Sequence, residues 1–180
     1  KDCAGKLIVK DQTVTLQNVI TSVFGGQIGL NGMVSTKEKT PKFNMDLGLN
    51  KVDIAQTFTQ LDMLKKIAPI AGAVSGKLNS TIKLSGNLNA NEMTPDLKTI
   101  SGDLLGQLLS TTVNSSNSTL LSALDSNIKF IDLKKLNLND LKAAVSFKDG
   151  KVTVKPFDIK YQDIKATIGG THGFDQAMNY

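Results

Sequence analysis

The chain has 180 residues, of which 40% are hydrophobic and 21% charged, an ordinary globular composition that can bury roughly 70% of the surface its unfolded form would expose. Its formal net charge is +5, yet every basic residue is lysine, with no arginine, no tryptophan and two tyrosines. Nucleic-acid sites draw on the guanidinium fork and on aromatic stacking platforms, so this makeup counts against a nucleic-acid partner. One cysteine and one histidine rule out an internal disulfide and leave no zinc-ligand spacing, and Cys3 reads as a plain residue rather than a lipidation site or reactive thiol.

The chain opens on KDCAGKLIVK, which goes straight into a strand pattern without the apolar run and small-residue cleavage site of a signal peptide. That fits a cytosolic chain, or a mature segment of something longer. Strands are expected at residues 6–10, 14–24, 27–36 and 42–49, with Gly25-Gly26 as a two-residue hairpin turn. In the last of these, Phe43, Met45, Leu47 and Leu49 alternate with Asn44, Asp46, Gly48 and Asn50, giving one apolar and one wet face.

A helix is expected from Asp53 to about Lys66, capped by Asp53, stopped by Pro69 and lying on the sheet through Ile54, Phe58, Leu61 and Leu64. The nearly apolar run at residues 67–74 contains Pro69 and Gly72 and falls far short of the ~20 residues that span a bilayer. A strand follows at 76–84, then a single turn opened by Thr94-Pro95-Asp96 and a strand at 102–112. The polar run 113–118 reads as a surface loop, and a short helix begins near Ser118 with Leu120, Leu121 and Leu124 as its apolar patch. Strands at 140–148, 151–155, 157–161 and 164–170 complete the chain, with Asp149-Gly150 as a second tight hairpin turn. The expectation is one α+β, mainly β domain over residues 1–180: a curved antiparallel sheet of hairpins carrying two or three short helices. GKLIV and SGKLNSTIKLSG resemble each other, but no fixed repeat period is visible.

Catalytic chemistry needs tuned acids, bases or nucleophiles, and the inventory is thin. His172, in GGTHG, reads as an exposed turn residue, because no serine or cysteine stands in a nucleophile motif beside it. No GxxxxGK[ST] loop is present, and the glycines of GGQIGLNG sit in a hairpin pattern without the following helix of a dinucleotide fingerprint. A non-enzymatic chain with no cofactor and no metal is the expectation. Residues 142–165 carry six lysines against three aspartates, which reads as a solvated face that also discourages edge pairing. The opposite face holds Val152, Val154, Phe157, Ile159, Tyr161, Ile164, Ala166 and Ile168.

Several stretches in order resemble the C-terminal region of the AsmA family, relatives of TamB-like proteins of Gram-negative envelopes. These are FGGQIGLNGMVST, PKFNMDLGLNKVDIAQTF, AVSGKLNSTIKLSGNLNANEMTPDLKTISGDLLG and LNDLKAAVSFKDGKVTVKPFDIKYQDIKATIGGTHGFDQAMNY. The resemblance implies a piece of a larger periplasmic protein tethered to the inner membrane outside these residues. It implies an apolar β groove serving phospholipid transport and outer-membrane biogenesis, and no catalytic residues. Phe43, Met45, Leu47, Leu49, Val152, Val154, Phe157, Ile159, Tyr161, Ile164 and Ile168 would then face acyl chains, unless a covering helix makes them core. The alternative is an interaction module that docks envelope proteins on its sheet edges and acts in outer-membrane protein assembly.

Overall fold

The computed structural model describes residues 2–60, 74–113, 137–173 and 178–179. They form one open antiparallel sheet of ten strands whose spatial order is their chain order. The strands are β1 (Cys3–Lys10), β2 (Thr13–Val23), β3 (Gly26–Ser35), β4 (Lys42–Asp53) and β5 (Val74–Asn87). They continue with β6 (Ser101–Val113), β7 (Lys142–Lys148), β8 (Lys151–Tyr161), β9 (Ile164–Gly173) and β10 (Met178–Asn179). A meander of this kind needs only neighbours in sequence to pair.

The β2–β3 turn is Phe24-Gly25, one residue earlier than expected, and both residues take the positive φ of a type I′ turn, 52° and 64°. Gly26 is needed elsewhere. It begins β3, where a Cβ would stand 2.5 Å from the carbonyl oxygen of Asn50. Asp149-Gly150 turns as expected, with φ of 50° and 73°.

Among the described residues helix content is low. Among the described residues there is one α-helix, α1 (Ile54–Gln60), and one 3-10 turn at Leu97–Thr99, not two or three helices. Asp53 caps α1 as anticipated, its carboxylate accepting the Gln56 N–H at 2.9 Å. The expected continuation of that helix to residue 66, and the helix near Ser118, lie outside the described residues. The turn after Pro95 starts two residues later than its proline, because Asp96 caps it by accepting the Lys98 N–H at 3.1 Å. Pro95 instead bridges Leu88.

The two strands expected at 151–155 and 157–161 are one strand, β8, interrupted by a bulge between Val154 and Phe157. It is one of four, and they fall on every second strand. In β2, β4 and β6 the bulge carries a non-glycine residue at positive φ, namely Asn18 (49°), Lys51 (51°) and Ser110 (51°). Each freed N–H is taken by an asparagine on the following side: Asn18 N–H by Asn31 at 2.7 Å, Lys51 N–H by Asn79 at 2.8 Å, and Thr111 N–H by Asn139 at 2.6 Å. On the preceding side a glycine makes room. A Cβ on Gly5, Gly26 or Gly76 would come within 2.5–2.7 Å of the bulged segment. In β8 the bulge contains Pro156, which has no N–H to satisfy, and Gly169 rather than an asparagine lies across from it.

Register explains why one face is apolar. The row Leu7–Leu16–Gly32–Met45–Leu84–Gly102–Phe147–Val152–His172–Met178 crosses all ten strands. A parallel row, Val19–Leu30–Leu47–Ile82–Leu104–Val145–Val154, crosses β2 to β8. The other face runs Asn31–Asp46–Lys83–Asp103–Ser146–Thr153–Thr171, polar from β3 to β9. Each bulge resets the alternation by one residue, so Val19, Val52 and Phe157 return to the apolar face where strict alternation would have sent them to the polar one.

Candidate functional site: the apolar face of the sheet

Two pieces of chain cover the middle of the apolar face. At one end the β5–β6 connection folds back, with the Asn87 N–H bonded to the Thr99 hydroxyl at 2.9 Å, and this brings Leu97 and the fully buried Ile100 against the main core. That core contains Leu49, Val52, Ile82, Leu84, Ile100, Phe147 and Val152. At the other end Ile54 of α1 packs with Val74, Leu78, Leu108 and Leu138 in a second, smaller cluster. Each Leu, Ile or Phe so buried contributes about 1.5–3 kcal/mol.

The expected lipid-facing residues divide accordingly. Leu49 (5% exposed) and Val152 (1%) are buried members of the main core. Phe43, Met45, Leu47 and Val154 are half-buried on the same face, the first three packed against that core. Phe157 and Ile159 are half-buried, and Ile164 and Ile168 are exposed on the β8–β9 hairpin. Tyr161 pairs with Ile164 in that hairpin.

His172 is not the exposed turn residue that GGTHG suggested. It lies within β9, 3% exposed, opposite Val152, with Nδ1 3.1 Å from the Gly173 carbonyl oxygen. The ring is thus buried within the sheet, across from Val152. Among the described residues no group of His, Cys, Asp and Glu could hold a metal ion, and no helix is long and apolar enough to cross a membrane.

Two features were missed. The first is the apolar face at the sheet's first edge, where Leu7 is 62% and Val9 68% exposed and Val14 beside them is also open. Their alternation is plain in KLIVK, but only the sheet order places them on an uncovered margin. The second is a third row on the same face, Leu49–Ser80–Gly106–Ala143, whose last three side chains are small.

The lysine face behaves as a solvated exterior. Asp158 accepts from the Lys165 ammonium at 2.8 Å and from the Thr167 hydroxyl at 2.6 Å. These bonds, the lysine's first, hold its carboxyl below the ordinary value against a smaller opposing desolvation. No family model, no curated protein and no solved structure matches this chain.

Proposed function

We propose that this chain is a non-enzymatic segment of an AsmA-like periplasmic protein, whose apolar sheet face contributes to a groove for phospholipid transport and outer-membrane biogenesis. The observation that carries this reading is the one-sidedness of the sheet: apolar rows run from β1 to β9 and reach both margins exposed, at Leu7, Val9, Ile164 and Ile168. An acyl chain leaving a bilayer costs about 0.8 kcal/mol per methylene exposed to water. A conduit therefore needs an apolar floor that is continuous across strands, and it needs no sequence-specific chemistry. The polar row on the other face can stay in water while the first face carries the chains.

Photocrosslinking side chains placed at Leu7, Val14 and Ile168, followed by mass spectrometry of the adducts, test this in envelope preparations. Acyl adducts from the three apolar positions and none from Asp103 on the polar face are expected. Equal labelling from both faces would end the proposal.

A second reading has its own observation. β1 is an eight-residue strand at the sheet edge with two exposed apolar residues, a surface suited to strand addition by a partner protein. The same adducts separate the two readings, since a docked strand gives peptide crosslinks from Leu7 and leaves Ile168 unlabelled.

A further inference from the structure

β1 is paired on one side: among the described residues its neighbour in the sheet is β2. Asp11 and Gln12 form the tight two-residue turn between them, with φ of 50° and 55°, so Lys10 and Thr13 exchange both main-chain bonds. Hydrogen-bonded pairs alternate along an antiparallel ladder, so Ile8 repeats this exchange with Thr15 and Lys6 with Gln17. The N–H and C=O groups of Leu7 and Val9 therefore point away from β2, along the open edge. Their side chains stand on the apolar face, 62% and 68% exposed, whereas Lys6, Ile8 and Lys10 stand on the polar one.

Two kinds of strand fit this edge poorly. Gly5-Lys6-Leu7-Ile8 repeats Gly76-Lys77-Leu78-Asn79 of β5 with its last residue exchanged. In β5 that residue answers the bulge of the preceding strand, Asn79 accepting the Lys51 N–H at 2.8 Å. The Ile8 side chain has no acceptor, so a bulged strand laid against β1 in the same way would leave an N–H unanswered. A second copy of β1 is the other poor fit. In antiparallel registers centred on Lys6 or on Ile8 a lysine stands opposite a lysine, and in the register centred on Leu7 neither lysine meets an acid.

The two lysines select the partner. Lys6 and Lys10 are exposed, neither is in an ion pair among the described residues, and on β2 they face the neutral Gln17 and Thr13. Ile8 is half-buried between them. On an incoming antiparallel strand, the residues opposite Lys6, Ile8 and Lys10 form the closer, non-hydrogen-bonded pairs, and those opposite Leu7 and Val9 form the hydrogen-bonded ones. The positions opposite Lys6 to Lys10 are thereby specified in order: an acid, three apolar residues and an acid. We propose that β1 docks an extended acidic segment of a partner protein, with carboxylates opposite Lys6 and Lys10 and apolar side chains opposite Leu7, Ile8 and Val9. The proposal rests on the strand-addition reading and gives the added strand a charge and a side-chain pattern. The lysines that disfavour pairing with a copy of this chain favour a strand of opposite charge.

Fluorescence anisotropy of the purified chain with labelled peptides tests it, using a Glu-Val-Ile-Val-Glu core, the same core with Gln or Lys in place of Glu, and the acidic core N-methylated on both valines. Wild type is expected to bind the Glu peptide about three- to fivefold more tightly per glutamate than the Gln peptide, as exposed ion pairs allow, and the Lys peptide most weakly. High salt should shrink these differences. The N-methylated peptide should not bind, because its valines lack the N–H groups that would meet the Leu7 and Val9 carbonyls. Hydrogen exchange at the Leu7 and Val9 amides should slow when the Glu peptide is added, whereas the Ile8 amide, already bonded to Thr15, should change little. Lys6→Glu with Lys10→Glu should reverse the order so that the Lys peptide binds best, and the milder Lys6→Gln with Lys10→Gln should abolish the preference. Equal binding of the Glu and Lys peptides by wild type, lost on N-methylation, would overturn the acidic assignment and leave strand addition standing. Charge-dependent binding that survives N-methylation, or exchange at Leu7 and Val9 that does not slow, would overturn docking at β1. No binding of any peptide would remove the strand-addition reading as well.

Discussion

The centre and the first margin of the apolar face are built from the same alternating sequence and differ in what lies over them. In β4 to β8 the row residues Leu84, Phe147 and Val152 are buried beneath Ile100 and its connection, whereas in β1 their row partners in register, Leu7 with Val9 beside it, stand open. Alternation therefore fixes which way a side chain points and leaves undecided whether that direction is interior. The core here is made by connections: the β5–β6 segment and α1 convert part of a surface into an inside.

The most severe break of that comparison is at the centre. Phe147→Ala should cost about 3–5 kcal/mol in a denaturant titration, because it removes a ring that is 2% exposed in the main core and leaves a cavity there. The joints come next. Gly76→Ala forces a side chain into φ 137° with its Cβ 2.7 Å from the Ser110 carbonyl oxygen, for roughly 1–3 kcal/mol. Asn139→Ala strands the N–H of buried Thr111, for about 1–3 kcal/mol by the same measurement.

At the margin, Leu7→Ser with Val9→Ser should change stability by no more than about 0.5 kcal/mol per site, although the same substitutions in the centre would unfold the sheet. Acyl photoadducts at Val14 should fall in that variant if the margin carries lipid. The smallest effect is on the polar face. The folded-state carboxyl of Asp158 is depressed, so its contribution is present above the unfolded value and lost as pH falls through the folded one. Wild type should accordingly lose slightly more stability than Asp158→Asn across the acidic carboxylate range, and high salt should shrink the difference.

Much of the fold was legible. Alternation located nine of the ten strands within a few residues, and the Asp53 cap and the Asp149-Gly150 turn were local chemistry that needed no tertiary information. The bulges are legible in the apolar spacing: Leu16 to Val19, Leu49 to Val52 and Val154 to Phe157 each step by three inside a pattern of two. Pro156 reads equally as a strand boundary, since its missing N–H is consistent both with an end and with a bulge. The candidate site was less legible. Nothing in VSFKDGKVTV tells that Val152 would be covered, nor in KLIVK that Leu7 would not, because burial depends on which distant loop folds back over which strand. The early end of the β7–β8 ladder at Val145–Val154 was invisible for the same reason: a ladder ends where two strands diverge, and neither strand's sequence records its partner's path.

The alternate bulges have a consequence for how such a sheet can grow. Each of the first three joints takes a glycine from the strand before it and an asparagine from the chain after it, so β3 supplies Asn31 backward and Gly26 forward, and β5 supplies Asn79 backward and Gly76 forward. An odd strand is thus a two-sided adapter, and a hairpin copied with its adapter fits against either neighbour without redesign. Gene duplication would lengthen a sheet of this type in steps of two strands, while the connections between hairpins stay free to vary in length. That freedom would erase any fixed period from the sequence and keep it in the hydrogen bonds.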